Sequence, residues 1–207
     1  MSTVQPSPIH LPPPSQTGDI SLEEAIVRRR SIRRFTASSI SQSQLSQILW
    51  ASQGVTNAAS GQRAAPSAGA TYPLEIFVIC GTDSVEGIGE GIYHYNPENH
   101  SLTLKHKGDV RLELAGTTFD QEYICEAPVD IIICAVYART MVKYEARGER
   151  YVHMDVGHAG QNIYLQATTL GLATVAMGAF HDEHLREVLR LDEHIRPLYI
   201  MPVGKAA

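Results

Sequence analysis

The chain has 207 residues, 43% of them hydrophobic and 19% charged, with a formal net charge of −5. That is room and apolar content for one sizeable domain, and the acidic balance excludes general affinity for nucleic acid or anionic membranes. No apolar run approaches the roughly 18 residues of a membrane helix, no signal-peptide pattern opens the chain, and a cytoplasmic protein is the default expectation.

Residues 1–19 are rich in Pro, Ser and Thr and read as an extended or mobile tail, followed by one domain over residues 20–207. Ser21 with Glu24 makes a capping box that opens a short helix with Leu22, Ala25 and Ile26 on its apolar face. A second box, Ser41 with Gln44, opens a helix that ends near Gly54. A loop of small residues covers residues 57–71. The apolar runs over residues 74–80 and 129–137 suit strands covered on both faces. Ile92-Tyr93-His94-Tyr95 and Ser101-Leu102-Thr103-Leu104 flank an Asn-Pro turn and read as a hairpin. A helix is expected over residues 110–119 and a long one over residues 152–170, ended by Gly171. The long helix carries Gly157, Ala159, Gly160 and Ala167, which would let another backbone approach, within the chain or across a dimer. A strand over residues 172–177, a helix capped by Asp182 and a last strand over residues 197–203 complete an interleaved α+β order.

Several chemistries are excluded. There is no GxxxxGK[ST] and no GxSxG elbow. Gly87-Ile88-Gly89-Glu90-Gly91 lacks the third Rossmann glycine, since Ile92 stands there, and it leads into a strand. Cys80, Cys125 and Cys134 form no CxxC pair, and Cys80 and Cys134 read as buried core. His181 with His184, and His153 with His158, lack a third ligand, so no metal is expected. Asp120, Glu122 and Glu126 read as an acidic helix end rather than a hydrolytic carboxylate pair.

What remains is Arg28-Arg29-Arg30-Ser31-Ile32-Arg33-Arg34-Phe35, where five of the 17 basic residues of the chain fall together. Guanidinium groups bind phosphate oxygens in a bidentate fork, and Ser31 adds a hydroxyl. Taken alone, the cluster is a local anion site, a solvated basic turn or an RNA contact.

The run resembles the Arg-x-Ser-x-Arg-x-Phe opening of the nitroreductase family of FMN enzymes, with Arg29, Arg30, Ser31 and Arg33 at the positions that bind the ribityl phosphate. The block from Arg63 through Pro66, Ser67, Ala68 and Gly69 to Pro73 is similar to the family's Pro-Ser loop, which lies against the flavin. Met177, Gly178 and Ala179 match the late turn whose backbone N–H faces the flavin N5. Lys205, in Pro-Val-Gly-Lys, matches the terminal basic residue that returns to the phosphate. The resemblance implies a three-layer α/β/α fold of the α+β class, with a central mixed sheet, FMN as cofactor and NAD(P)H as a possible reductant. It also implies a homodimer with FMN at the interface.

A finer resemblance is to the SagB-type, thiazoline/oxazoline oxidase-like branch, on residues 67–75 and 92–95 and on Gln121, which the resemblance places at the flavin pyrimidine edge. There Lys143 and Tyr144 match a pair associated with azoline dehydrogenation. No leader-peptide-binding segment is evident, so both a peptide and a small-molecule substrate stay open. The expected function is hydride transfer through the flavin, in nitro or quinone reduction or in azoline dehydrogenation. Its rival is a non-catalytic flavin-binding or scaffold subunit of a peptide-modifying complex.

Overall fold

A computed structural model of the chain describes residues 7–119 and 121–207. The elements in chain order are β1 (Ile9–His10), α1 (Leu22–Arg28), α2 (Gln42–Gln53), β2 (Val55–Asn57), β3 (Gln62–Arg63), β4 (Leu74–Cys80), β5 (Gly91–Asn96), β6 (Ser101–Lys107), α3 (Arg111–Ala115), β7 (Val129–Ala135), α4 (Tyr137–Tyr144), α5 (Gly148–Thr169), β8 (Ala173–Thr174), α6 (Asp182–Leu189) and β9 (Arg196–Gly204).

Seven strands form one sheet in the order β1-β6-β5-β4-β7-β9-β8. Its ladders run antiparallel, and a parallel bridge from Ser31 to Thr174 gives the sheet its mixed character. Successive side chains of a strand point to opposite faces. On β4, Leu74, Ile76 and Val78 therefore pack with Leu45 and Ile48 of α2 and Val156 of α5. Phe77 and Ile79 pack on the other face, with Leu114 of α3 and Leu185 of α6. Both faces are covered, which is why β4 and β7 read as apolar runs broken only by Glu75 and Asp130. The result is a three-layer α+β fold.

Asp130 interrupts that core. It sits in β7 opposite Ile79 and Pro202, is fully buried, and neither carboxylate oxygen has a partner among the described residues.

Five local readings change in the structure. Within the stretch read as tail, Ile9 pairs with Leu102 of β6 and Leu11 is buried. The small-residue stretch contains the β2–β3 ladder and a 3₁₀ turn, Ala68–Ala70. The helix expected from residue 110 stops at Ala115, capped by Gly116, and the strand expected to reach Met177 shortens to Ala173–Thr174. Asp182 is the first helical residue of α6 rather than its cap, which is His181. Asp120 lies outside the described residues. No helix among the described residues is long and apolar enough to cross a membrane.

Candidate functional site

The arginine turn follows α1, whose cap Ser21 accepts from Glu24 N. The structure sorts its cations by what already holds them. Arg28 pairs with Glu24 one helical turn back. Arg30 folds onto the end of α1, its Nη1 donating to Val27 O and Arg29 O at 2.8 Å each. Arg29 instead lies over the Tyr164 ring, 5.3 Å from its centroid. Arg33 stands beside Tyr123: burial raises the Tyr123 pKa, and the Arg33 guanidinium offsets part of that rise. Among the described residues neither Arg29 nor Arg33 makes an ion pair.

Tyr164 of α5 ties this turn to the late strand. Its hydroxyl is 2.9 Å from Ser31 Oγ and accepts from Ala176 N at 2.8 Å. Ile32 N donates to Thr174 O at 3.1 Å. Beyond Ala176 the chain makes the turn that carries Met177, Gly178 and Ala179. Met177 is buried, and both its N–H and its carbonyl pair with Ile200. Gly178 and Ala179 are exposed, and neither N–H appears in a backbone hydrogen bond. The donors available for a ligand on this turn are therefore Gly178 and Ala179, and Met177 N–H is already committed. Gln121 Nε2 donates to Ala179 O at 3.2 Å. The Tyr123 hydroxyl is 2.5 Å from Gln121 Oε1 and 2.8 Å from Met177 Sδ. The C-terminus closes the group: Thr36 N donates to Lys205 O at 2.9 Å and Ala207 N to Arg34 O at 3.2 Å. This brings the exposed Lys205 alongside the arginine turn.

A second group forms around the small-residue loop. Ser67 Oγ accepts from Tyr72 N at 3.0 Å. Gly69 has φ 61°, and Ala70 and Tyr72 also have positive φ, at 53° and 43°. Strain of this kind persists only where surroundings enforce it, and it clusters at functional sites. α4 supplies part of that enforcement. Thr140 Oγ1 is 2.8 Å from Thr71 Oγ1, and Lys143 Nζ donates to Gly69 O at 3.4 Å. The structure thus brings Lys143 and Tyr144 onto the loop that contains Pro66, Ser67, Ala68 and Gly69. Beneath it lies Asp155 of α5. Burial raises the Asp155 carboxyl above its ordinary range, and Ser67, the Ala68 backbone and His158 offset part of the rise.

A Cβ added at Gly69 would lie 2.5 Å from the Tyr144 hydroxyl and 2.6 Å from Lys143 Nζ. These are the ends of flexible side chains and can move aside. Gly69→Ala should therefore fold, displace the pair, and lose about 1–2 kcal/mol from the left-handed backbone alone. Urea unfolding checks this, and an unchanged midpoint would mean the loop relaxes at no cost.

Sequence reasoning passed over the residues that hold this second group. Arg139 donates to Tyr72 O at 3.1 Å and pairs with Glu75, which also contacts His94 Nε2 at 2.6 Å. Burial pushes the Glu75 carboxyl up, but the His94 hydrogen bond and the Arg139 charge outweigh it and hold the pKa below its usual value. Arg139 is one helical turn from Lys143, so this network fixes the register of α4 against the loop. Tyr164 and Asp155, nine residues and about 14 Å apart along α5 at 1.5 Å per residue, mark the places where the two groups meet that helix.

A sequence profile of the Nitroreductase family matches residues 26–205, spanning the arginine turn, the small-residue loop, the late turn and Lys205. The chain belongs to the nitroreductase family. It is 48% identical over 187 residues to a protein of Methanocaldococcus jannaschii that carries the nitroreductase name, covering 90% of this chain and 92% of that one. It is 27% identical over 151 residues to the microcin B17-processing protein McbC of Escherichia coli, covering 70% of this chain but only 55% of McbC. Among solved structures, a nitroreductase-family protein of Ralstonia eutropha superposes with a TM-score of 0.86 at 28% identity, covering 99% of this chain and 92% of that one. The E. coli microcin synthetase McbBCD complex, solved with truncated pro-MccB17, contains a chain of the same fold, with a TM-score of 0.78 at 24% identity and coverage of 93% and 75%.

Proposed function

We propose that this nitroreductase-family chain is an FMN-dependent oxidoreductase, and that azoline-type dehydrogenation is the reaction its site fits best. The observation that carries the reading is the seating of Lys143 and Tyr144 on the strained Gly69 loop, in a chain similar to McbC.

The residues present fit FMN. Arg29 and Arg33 are cations without an ion-pair partner among the described residues, Ser31 adds a hydroxyl, and Lys205 stands beside them, which suits a phosphate. Gly178 and Ala179 offer exposed N–H donors, which suit the edge of a flavin ring. The small-residue loop lets a backbone approach a flat ring closely. Bound FMN supplies the hydride chemistry at its ring N5.

The protein's part is to bind, orient and move the proton. Aromatising an azoline removes a hydride and a proton from the substrate. Lys143 as the free amine, or Tyr144 as the phenolate, takes the proton, within reach of a substrate lying on Gly69. Reduction of nitro or quinone acceptors by NAD(P)H uses the same flavin without requiring that pair. A homodimer with the flavin at its interface suits the exposed face of α5. There Gly157 has nothing within 4 Å of an added Cβ, and Met154 of α5 and Ile26 of α1, a helix in contact with α5, are exposed apolar groups.

The purified protein should be yellow and should bleach with dithionite. Lys143→Ala and Tyr144→Phe should lower oxidation of a thiazoline- or oxazoline-containing peptide by about 10²–10⁴, with flavin content unchanged. Colourless protein that FMN cannot reconstitute sinks the oxidoreductase reading. Full peptide oxidation in both variants removes the pair from the chemistry, and flavin binding without turnover on any donor favours a scaffold role.

A further inference from the structure

The sheet face opposite α5 carries a cavity of about 320 Å³ that the flavin reading does not use. It lies between strands β4 to β6 and the connection from α6 to β9. Its floor is apolar: Phe77, Leu189, Leu191 and Ile195, all part of or packed against the core cluster on that face. Its rim is basic, with Lys105 on β6 and Arg190 at the end of α6. A β-bulge places Lys105 there: Ile92 pairs with His106 and Tyr93 with Leu104, so Lys105 is the extra residue of β6, and both Lys105 and His106 line the cavity.

The charges there are unequally matched. Glu75, one of two acids in the lining, is already met by Arg139 and His94; Asp192 is the other. Lys105 and Arg190 make no ion pair among the described residues. Arg190 is also held in an unfavourable conformation. It caps α6 with φ 52° and ψ 45°, the left-handed position where glycine fits without strain. A cation at a helix C-terminus gains about 0.3–1 kcal/mol from the helix dipole, less than the roughly 1–2 kcal/mol that the left-handed backbone costs, so glycine would fold better at this position.

We propose that this cavity binds an amphipathic monoanion, a compact aromatic or branched apolar body bearing one carboxylate. The apolar body covers Phe77 and Leu191, and the carboxylate meets Lys105 and Arg190. A volume near the lower end of the roughly 300–1,000 Å³ usual for ligand sites suits one fused ring system rather than a dinucleotide.

The test is calorimetric titration of the purified, flavin-loaded protein with naphthalene-2-carboxylate, 2-naphthylmethanol and inorganic phosphate. The carboxylate should bind at least ten times more tightly than the alcohol or phosphate. Lys105→Gln and Arg190→Gly should each weaken it several-fold, and together at least ten-fold. Arg190→Gly should at the same time raise the melting temperature, since it relieves the left-handed backbone; a merely structural arginine would lose stability instead. Equal affinity for acid and alcohol overturns the proposal, because the cavity would then be a plain apolar cleft. Tighter phosphate binding overturns it in favour of a simple anion site. Undiminished carboxylate binding in the folded double variant overturns it too, because the ligand would then sit elsewhere, over the flavin included.

Discussion

Replacing Arg29 and Arg33 together by Gln should weaken FMN binding by about 10²–10⁴-fold, while riboflavin, which lacks the phosphate, binds nearly as before. The magnitude follows from two charge-assisted hydrogen bonds at roughly 1.5–3 kcal/mol each. The choice of these two follows from the structure. Arg28 is neutralised by Glu24, and Arg30 is turned back onto the carbonyls of α1. Arg29 and Arg33 make no ion pair among the described residues. Fluorescence titration of the apoprotein with both flavins separates the possibilities. If both lose affinity equally, the substitutions have disturbed the turn rather than the phosphate contact, and the melting temperature would show it. If neither does, the phosphate lies elsewhere. Arg30→Gln is the internal control: it should lower stability through the lost C-terminal cap of α1 and leave the ratio of FMN to riboflavin affinity largely intact.

That sorting of Arg28, Arg29, Arg30 and Arg33 could not have been read from the chain order. The sequence motif groups Arg29, Arg30, Ser31 and Arg33 as equals, whereas Arg30 turns back onto local carbonyls and the partners of Arg29, Ser31 and Arg33 come from far away. The Ser31 to Tyr164 contact spans 133 residues, and a lone tyrosine on a long helix gives no local sign of it. What was legible is what local physics decides. Ser41 and Gln44 form both halves of a capping box, and Gly171 takes φ 68° after α5. β4 and β7 were legible because burial on both faces leaves them no polar alternation. β1 and α4 were not. Ile9 becomes a strand only because the edge of β6 is there to receive it. α4 begins at Tyr137, with Val136 at the N-cap giving no side-chain hydrogen bond, and Arg139, which ties it to Glu75 across 64 residues, is an ordinary arginine in the sequence. The candidate site shows the same division. Its residue types were visible as motifs, but the contact of Lys143 and Tyr144 with Gly69 is a consequence of α4, which the sequence did not announce.

Asp130→Asn should make the protein more stable than the wild type at neutral pH, with a gap that widens as pH rises. The wild-type carboxyl sits in the middle of the sheet without a hydrogen bond among the described residues. Arg111, the nearest cation to act on it, is already held. Its Nε and Nη2 donate to Asp109 at 2.9 and 2.6 Å, and its Nη1 donates to Ala127 O at 2.7 Å. Burial therefore prevails, with Arg111 lowering and Asp109 raising, and the Asp130 pKa stands well above the carboxylate range. The sign follows from proton counting. Above about pH 4 the unfolded chain has released this proton and the native protein has kept it. The native state binds more protons, so stability falls with rising pH until the native pKa is reached. Over that window the wild type loses about 1.4 kcal/mol per pH unit relative to the Asn variant. Urea unfolding of both proteins at pH 5, 6 and 7 measures it. Parallel pH dependences would mean that Asp130 is ionised in the folded protein and has a partner. Convergence of the two proteins toward acid and divergence toward neutrality would show a neutral acid held in the sheet beside Pro202, on the strand that leads to Lys205.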